Sequence, residues 1–152
     1  MSEKLNSSTD IRPTAAEIRR LQNLELRYKN AARSQFEKRV AFYHSVTGGS
    51  YTSITVRDQK TRWGSCSSRG TLSFNYRLIF APPRVLDYVV VHELCHLTHM
   101  NHSKEFWAMV ASVMSDYQSC RSWLRNHGHE LTLEAYLERK GIPVLPDSET
   151  QL

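Results

Sequence analysis

Within one short stretch the chain carries His92, Glu93, His96 and His102. Histidines at i and i+4 lie one turn apart on the same face of a helix, so two imidazoles can share a metal ion. Glu93, beside the first of them, can serve as a general base that takes a proton from a metal-bound water. The chemistry in view is metal-dependent hydrolysis, with one zinc ion per chain as the expected cofactor because zinc suits histidine donors.

A catalytic zinc takes three protein ligands and keeps one position open. His92 and His96 supply two. His99 lies seven residues beyond His92, about 10.5 Å along an unbroken helix, too far to converge on the same ion. His102 can return only if the helix bends after His96, and Asn101 is placed for such a bend because asparagine tolerates the left-handed conformation. Asp116, twenty residues after His96 on the next predicted helix, is a carboxylate alternative, and His127 or His129 could approach through the fold. His102 is favoured, and the others stay open. Structural zinc sites are usually closed by four ligands rich in cysteine, whereas a histidine set with a vacancy and a glutamate beside it suits catalysis. Tyr76, Arg77, His99 and His129 are unranked candidates for a donor to the oxyanion.

These residues need a buried helix to position them. Ala81-Pro82-Pro83-Arg84 suits a helix start, Asp87 is acidic near that end, and Val89-Val90-Val91 carries the helix inward. Upstream, Thr14 with Glu17 predicts a capping box opening a long amphipathic helix to about Ser45. Tyr51 to Arg57 alternates as a strand. Gln59 to Arg69 contains Trp63-Gly64-Ser65-Cys66, read as a strand edge or turn, with Trp63 and Gly64 shaping a cleft wall. Thr71 to Phe80 alternates as a further strand, so the region predicts an antiparallel hairpin or meander. If that last strand is an edge, an extended peptide could pair with it above the metal. Downstream, Phe106, Val110, Val113, Tyr117, Cys120 and Leu124 predict one helix to about Asn126, capped by Asn101 or Ser103, and Leu131 to Lys140 a short last one.

The 152 residues are 40% hydrophobic, which suits a globular fold that needs no disulfides. Three cysteines without a CxxC pair, no transmembrane stretch and a polar start predict a cytoplasmic protein with no membrane partner. The net charge of +5 is uneven: residues 1 to 47 carry nine Lys/Arg against five Asp/Glu, and residues 81 to 116 carry two against four. That excess offers a surface for nucleic acid or nucleoprotein, although solvated surface charge is the plainer reading. The alternative to an enzyme is therefore a zinc-containing basic module that binds nucleic acid or a protein partner without proteolysis.

The spacing HExxH-x5-H is shared with metzincin peptidases, but His99 stands where their pattern has glycine. A closer resemblance rests on Thr61-Arg62-Trp63-Gly64-Ser65-Cys66-Ser67-Ser68, Gly70 to Asn75, Val91 to Leu97, and Asn101-His102-Ser103-Lys104-Glu105-Phe106-Trp107. In this order the four motifs resemble the YgjP-like metallopeptidase family, itself similar to the SprT-like zinc peptidases. The resemblance spans roughly residues 51 to 125. It implies an α+β, zincin-like metallopeptidase domain, a small antiparallel sheet packed on helices carrying HExxH. It also implies ligand roles for His92, His96 and His102, the general-base role for Glu93, and a polypeptide substrate. The expected organisation is a flexible lead-in over 1–13, a single domain over 14–145 and a loose tail over 146–152.

Overall fold

Thr14 opens the first helix as expected. Its hydroxyl accepts from Glu17 N at 3.2 Å and Glu17 Oε2 accepts from Thr14 N at 2.7 Å, in a computed structural model that describes residues 12–142. The expected tail, and the lead-in except for Arg12 and Pro13, lie outside the described residues. The elements that follow are α1 (Ala15–Thr47), β1 (Ser53–Arg57), β2 (Gly64–Cys66), β3 (Thr71–Asn75), a 3-10 helix (Tyr76–Phe80), α2 (Pro83–Cys95), α3 (Lys104–Val113), α4 (Tyr117–His127), a second 3-10 turn (Gly128–Glu130) and α5 (Leu133–Arg139). No described helix is long and apolar enough to cross a membrane.

α1 buries a narrow stripe, Ala32, Phe36, Val40 and Tyr43, at the spacing of one helix face. Phe36 stacks on Phe74 of β3 with ring centroids 4.6 Å apart, which joins the helix to the sheet. The stripe does not run to the start of the helix: Ile18 is 43% exposed.

The sheet differs from the expected antiparallel arrangement. Its order is β1-β3-β2, with β1 and β3 parallel and β2 antiparallel to β3. The chain crosses from β1 to the far edge, makes the short β2, and returns through a tight turn at Gly70 (φ 85°) into the central strand. Two reversals leave β1 and β3 running the same way. β3 takes the centre because Leu72 and Phe74 are its deeply buried positions, at 0% and 1% exposure. It also ends sooner than its alternation predicts. Asn75 accepts from Arg77 N with its own Oδ1 at 3.1 Å, which starts the 3-10 helix.

α2 packs against α1, β2 and β3. Asp87 does not serve its first turn. Arg39 of α1 donates to both carboxylate oxygens of Asp87 at 2.8 Å, and the Tyr43 hydroxyl donates at 3.0 Å. This fork ties α2 to α1 through a buried acid. The predicted single helix after the His92–His102 segment is two. Met114 turns extended (φ −141°, ψ 94°) and is fully buried, and α4 starts anew at Tyr117. The apolar row keeps its phase across the break, so periodicity alone does not reveal it.

Candidate metal centre

His92 and His96 stand at the end of α2, where the helix closes. Leu97 N bonds to Leu94 O at 3.0 Å and Thr98 N to Cys95 O at 3.1 Å, a tightening that stops the helix and turns the chain. Ser103 then caps α3 by accepting from Phe106 N at 3.2 Å, which fixes His102 just outside the new helix. The reversal does not use a left-handed Asn101: no described residue other than glycine has a positive φ. The turn after Cys95 and the Ser103 cap do that work.

The result is a tripod. The Nε2 atoms of His92, His96 and His102 are each 3.2 Å from the other two. Points so spaced can all lie about 2.0–2.1 Å from one centre, the zinc–imidazole bond length, with a tetrahedral corner left over. The other nitrogen of two of the rings is held. His96 Nδ1 meets the His99 carbonyl at 2.9 Å, and His92 Nδ1 meets the Tyr88 hydroxyl at 3.2 Å. A hydrogen on Nδ1 leaves Nε2 free as a ligand in both. His96 stacks on Phe106 at 4.4 Å and His102 on Trp107 at 5.8 Å. Burial, then the nearby His96 and His102, push His92 down to about 3, and burial also lowers His96. Both shifts favour the neutral imidazole, the form that can bind a metal ion.

Glu93 points into the same recess and is 4% exposed. Burial alone pushes its carboxyl up to about 8. It has room because residue 64 is glycine: a Cβ there would lie 3.1 Å from Glu93 Cγ, from Oε2 and from the Ser73 carbonyl. Asn75, 3% exposed, holds the loop that delivers Trp63 and Gly64. Its Nδ2 donates to Gln59 O at 2.6 Å and Arg62 O at 3.0 Å, and its backbone N donates to Trp63 O at 2.8 Å.

Two clefts meet at His92, Glu93 and Gly64. One, of about 360 Å³, continues past Trp63, Tyr88, Leu124, Arg121 and Arg125. The other, of about 310 Å³, continues past Arg62, Ser65, Cys66 and Met100 to His96 and His102.

The remaining candidates lie elsewhere. Asp116 forms a fork with Arg84, at 2.6 Å for its shortest bond. His127 and His129 both face Glu130. His99 contributes its carbonyl. Tyr76 and Arg77 line a separate cleft with Glu25 and Asp58. The peptide-edge role expected of β3 is overturned, since β3 is interior and β2 is the edge beside the metal recess. On α1, Lys29, Arg33 and Arg39 meet Glu25, Glu37 and Asp87, so part of the basic excess is paired. Tyr88 and Arg121 went unread in the sequence. Tyr88 sits four residues before His92, a spacing that could have been found. Nothing local pointed to Arg121.

Comparison with known proteins agrees with this architecture. The crystal structure of the metallopeptidase zymogen abylysin from Pyrococcus abyssi superposes with a TM-score of 0.54 at 20% identity, covering 62% of this chain and 93% of that one, which shows a shared fold. No curated protein sequence matches. The model of the YgjP-like metallopeptidase domain matches residues 2–127. A match over most of its length makes this chain a member of the YgjP-like metallopeptidase family, with metal-dependent cleavage of polypeptides as its class of activity.

Proposed function

We propose that the protein is a zinc metallopeptidase in which His92, His96 and His102 hold the ion and Glu93 is the general base. The observation that carries this reading is the mutual 3.2 Å spacing of three Nε2 atoms at the floor of a cleft that Glu93 shares. Neutral imidazole donors in a three-ligand set favour zinc. When bound, the ion would act as a Lewis acid on the scissile carbonyl and acidify water at its open corner.

The chain's own residues do the rest. Glu93 takes a proton from the attacking water as its oxygen bonds to the carbonyl carbon. It returns that proton to the amide nitrogen as the C–N bond breaks. The burial that raises its pKa keeps it basic, while a cation in the tripod draws the pKa back down. Tyr88 and the His99 carbonyl orient two of the rings. The outer edge of β2 offers backbone groups at Gly64 to Cys66, so an extended peptide can lie along it above His92 and Glu93. The three thiols are free, which supports a reducing compartment, the cytoplasm.

The test is metal analysis coupled to a peptide-library digest. Glu93→Gln should keep one zinc per chain and lose cleavage by roughly 10²-fold or more. His102→Ala should lose both. Undiminished cleavage by Glu93→Gln overturns the reading.

A further inference from the structure

Two arginines of α4, Arg121 and Arg125, are one helical turn apart and line the larger cleft beside His92 and Glu93. Arg121 lies over the Trp107 ring at 4.3 Å, on the aromatic group that also backs His102. Its charge reaches the site, acting on both His92 and Tyr88. Neither guanidinium has a carboxylate partner among the described residues, in contrast to Arg39, Arg77 and Arg84, each of which has one. Glu93 lines the same cleft but is shifted by burial alone, so neither arginine pairs with it. Trp63, Val89 and Leu124 line the same cleft. Two guanidinium forks without a carboxylate partner in one cleft have the donor geometry that receives a carboxylate.

We propose that Arg121 and Arg125 form a specificity subsite that binds a carboxylate of the peptide substrate, to one side of the scissile bond. This rests on the peptidase reading for its orientation, because a chain paired along β2 runs from the metal recess into this cleft. The carboxylate is that of an Asp or Glu side chain or of the peptide's C-terminus. Either fits the same fork–fork geometry.

The experiment separates these sources and separates this proposal from the peptidase reading. Zinc-loaded Glu93→Gln protein is titrated by calorimetry with acetylated, amidated octapeptides of one sequence. Each carries Glu or Gln at one scanned position, and one all-Gln peptide has a free C-terminus. Either one Glu position or the free terminus should bind roughly tenfold to a hundredfold tighter than its neutral counterpart. Arg121→Ala and Arg125→Ala should each remove most of that preference, and Arg125→Glu should favour Lys at the same position. If Arg121→Ala fails to fold, Arg121→Lys and the Arg125 variants decide. The proposal is overturned if no acidic peptide outbinds its neutral twin, if the preference survives the substitutions, or if a single-stranded oligonucleotide competes through the same arginines more tightly than the acidic peptide. Wild-type zinc enzyme is then given the preferred peptide. Failure to cleave it sinks the peptidase reading alone, because the binding result stands without it.

Discussion

The hydroxyl of Tyr88 lies 3.2 Å from Nδ1 of His92, one turn along the same helix. The contact turns the His92 ring so that Nε2 faces His96 and His102. Tyr88→Phe removes it while keeping the ring that packs edge-on to His92 at 5.8 Å. Losing such a partner should weaken zinc affinity by roughly 10- to 100-fold with the fold intact. A competitive chelator titration alongside circular dichroism measures this. Unchanged affinity would show that packing alone orients the ring.

Gly64→Ala is expected to act on the opposite wall. The added methyl sits 3.1 Å from both Glu93 and the Ser73 carbonyl, so the glutamate must shift or the edge strand must move. We expect kcat/KM to fall by about tenfold or more while bound zinc stays near one per chain. Full activity in the variant would mean that Glu93 does not need the position it occupies.

Asp87→Asn tests the link between α1 and α2. The substitution leaves Arg39 and Tyr43 without their shared carboxylate, in a place where Asp87 is 8% exposed. Arg39 keeps some solvent contact, which softens the loss, so the expected destabilisation is about 1–3 kcal/mol. Urea unfolding at fixed zinc concentration reads it.

The metal-free protein should show a pH signature of Glu93. Its carboxyl, pushed up by burial to about 8 from an ordinary 4.5, holds a proton in the native chain that the unfolded chain releases. Its contribution to stability is therefore full below pH 4.5 and is lost as pH rises through 8. His92 has the opposite sign: pushed down to about 3 from 6.5, it costs stability as pH falls through that window. In chelator-treated samples the stability gained by Glu93→Gln over wild type should grow from pH 5 to pH 8. Urea midpoints across that range give the comparison, and a flat difference would refute it.

The sequence is most legible where chemistry is local. His92 and His96 are tied by helical period, whereas His102 needed a reversal that the sequence suggested at Asn101 and that the turn after Cys95 and the Ser103 cap supply instead. Thr14 and Glu17 announce α1 in the same way. The parallel pairing of β1 with β3 is not written locally. It depends on β2, three residues long, passing to the far edge, and such a strand is too short to show alternation. The α3–α4 break is hidden because Val113 and Tyr117 keep the helical phase while the burial of Met114 decides otherwise. Arg121 is invisible for a related reason: an arginine on an amphipathic helix reads as surface charge until Trp107 and the cleft are seen beside it.

The three imidazoles come from one contiguous turn-and-cap between residues 92 and 102, while the cleft is walled by residues 62–66 and 121–125. On the proposed reading, ion holding and substrate choice fall to separate segments. Grafting other side chains onto the flanking segments should retune what the protein cuts without loosening its grip on the metal, so diversification within this architecture can proceed from the walls inward.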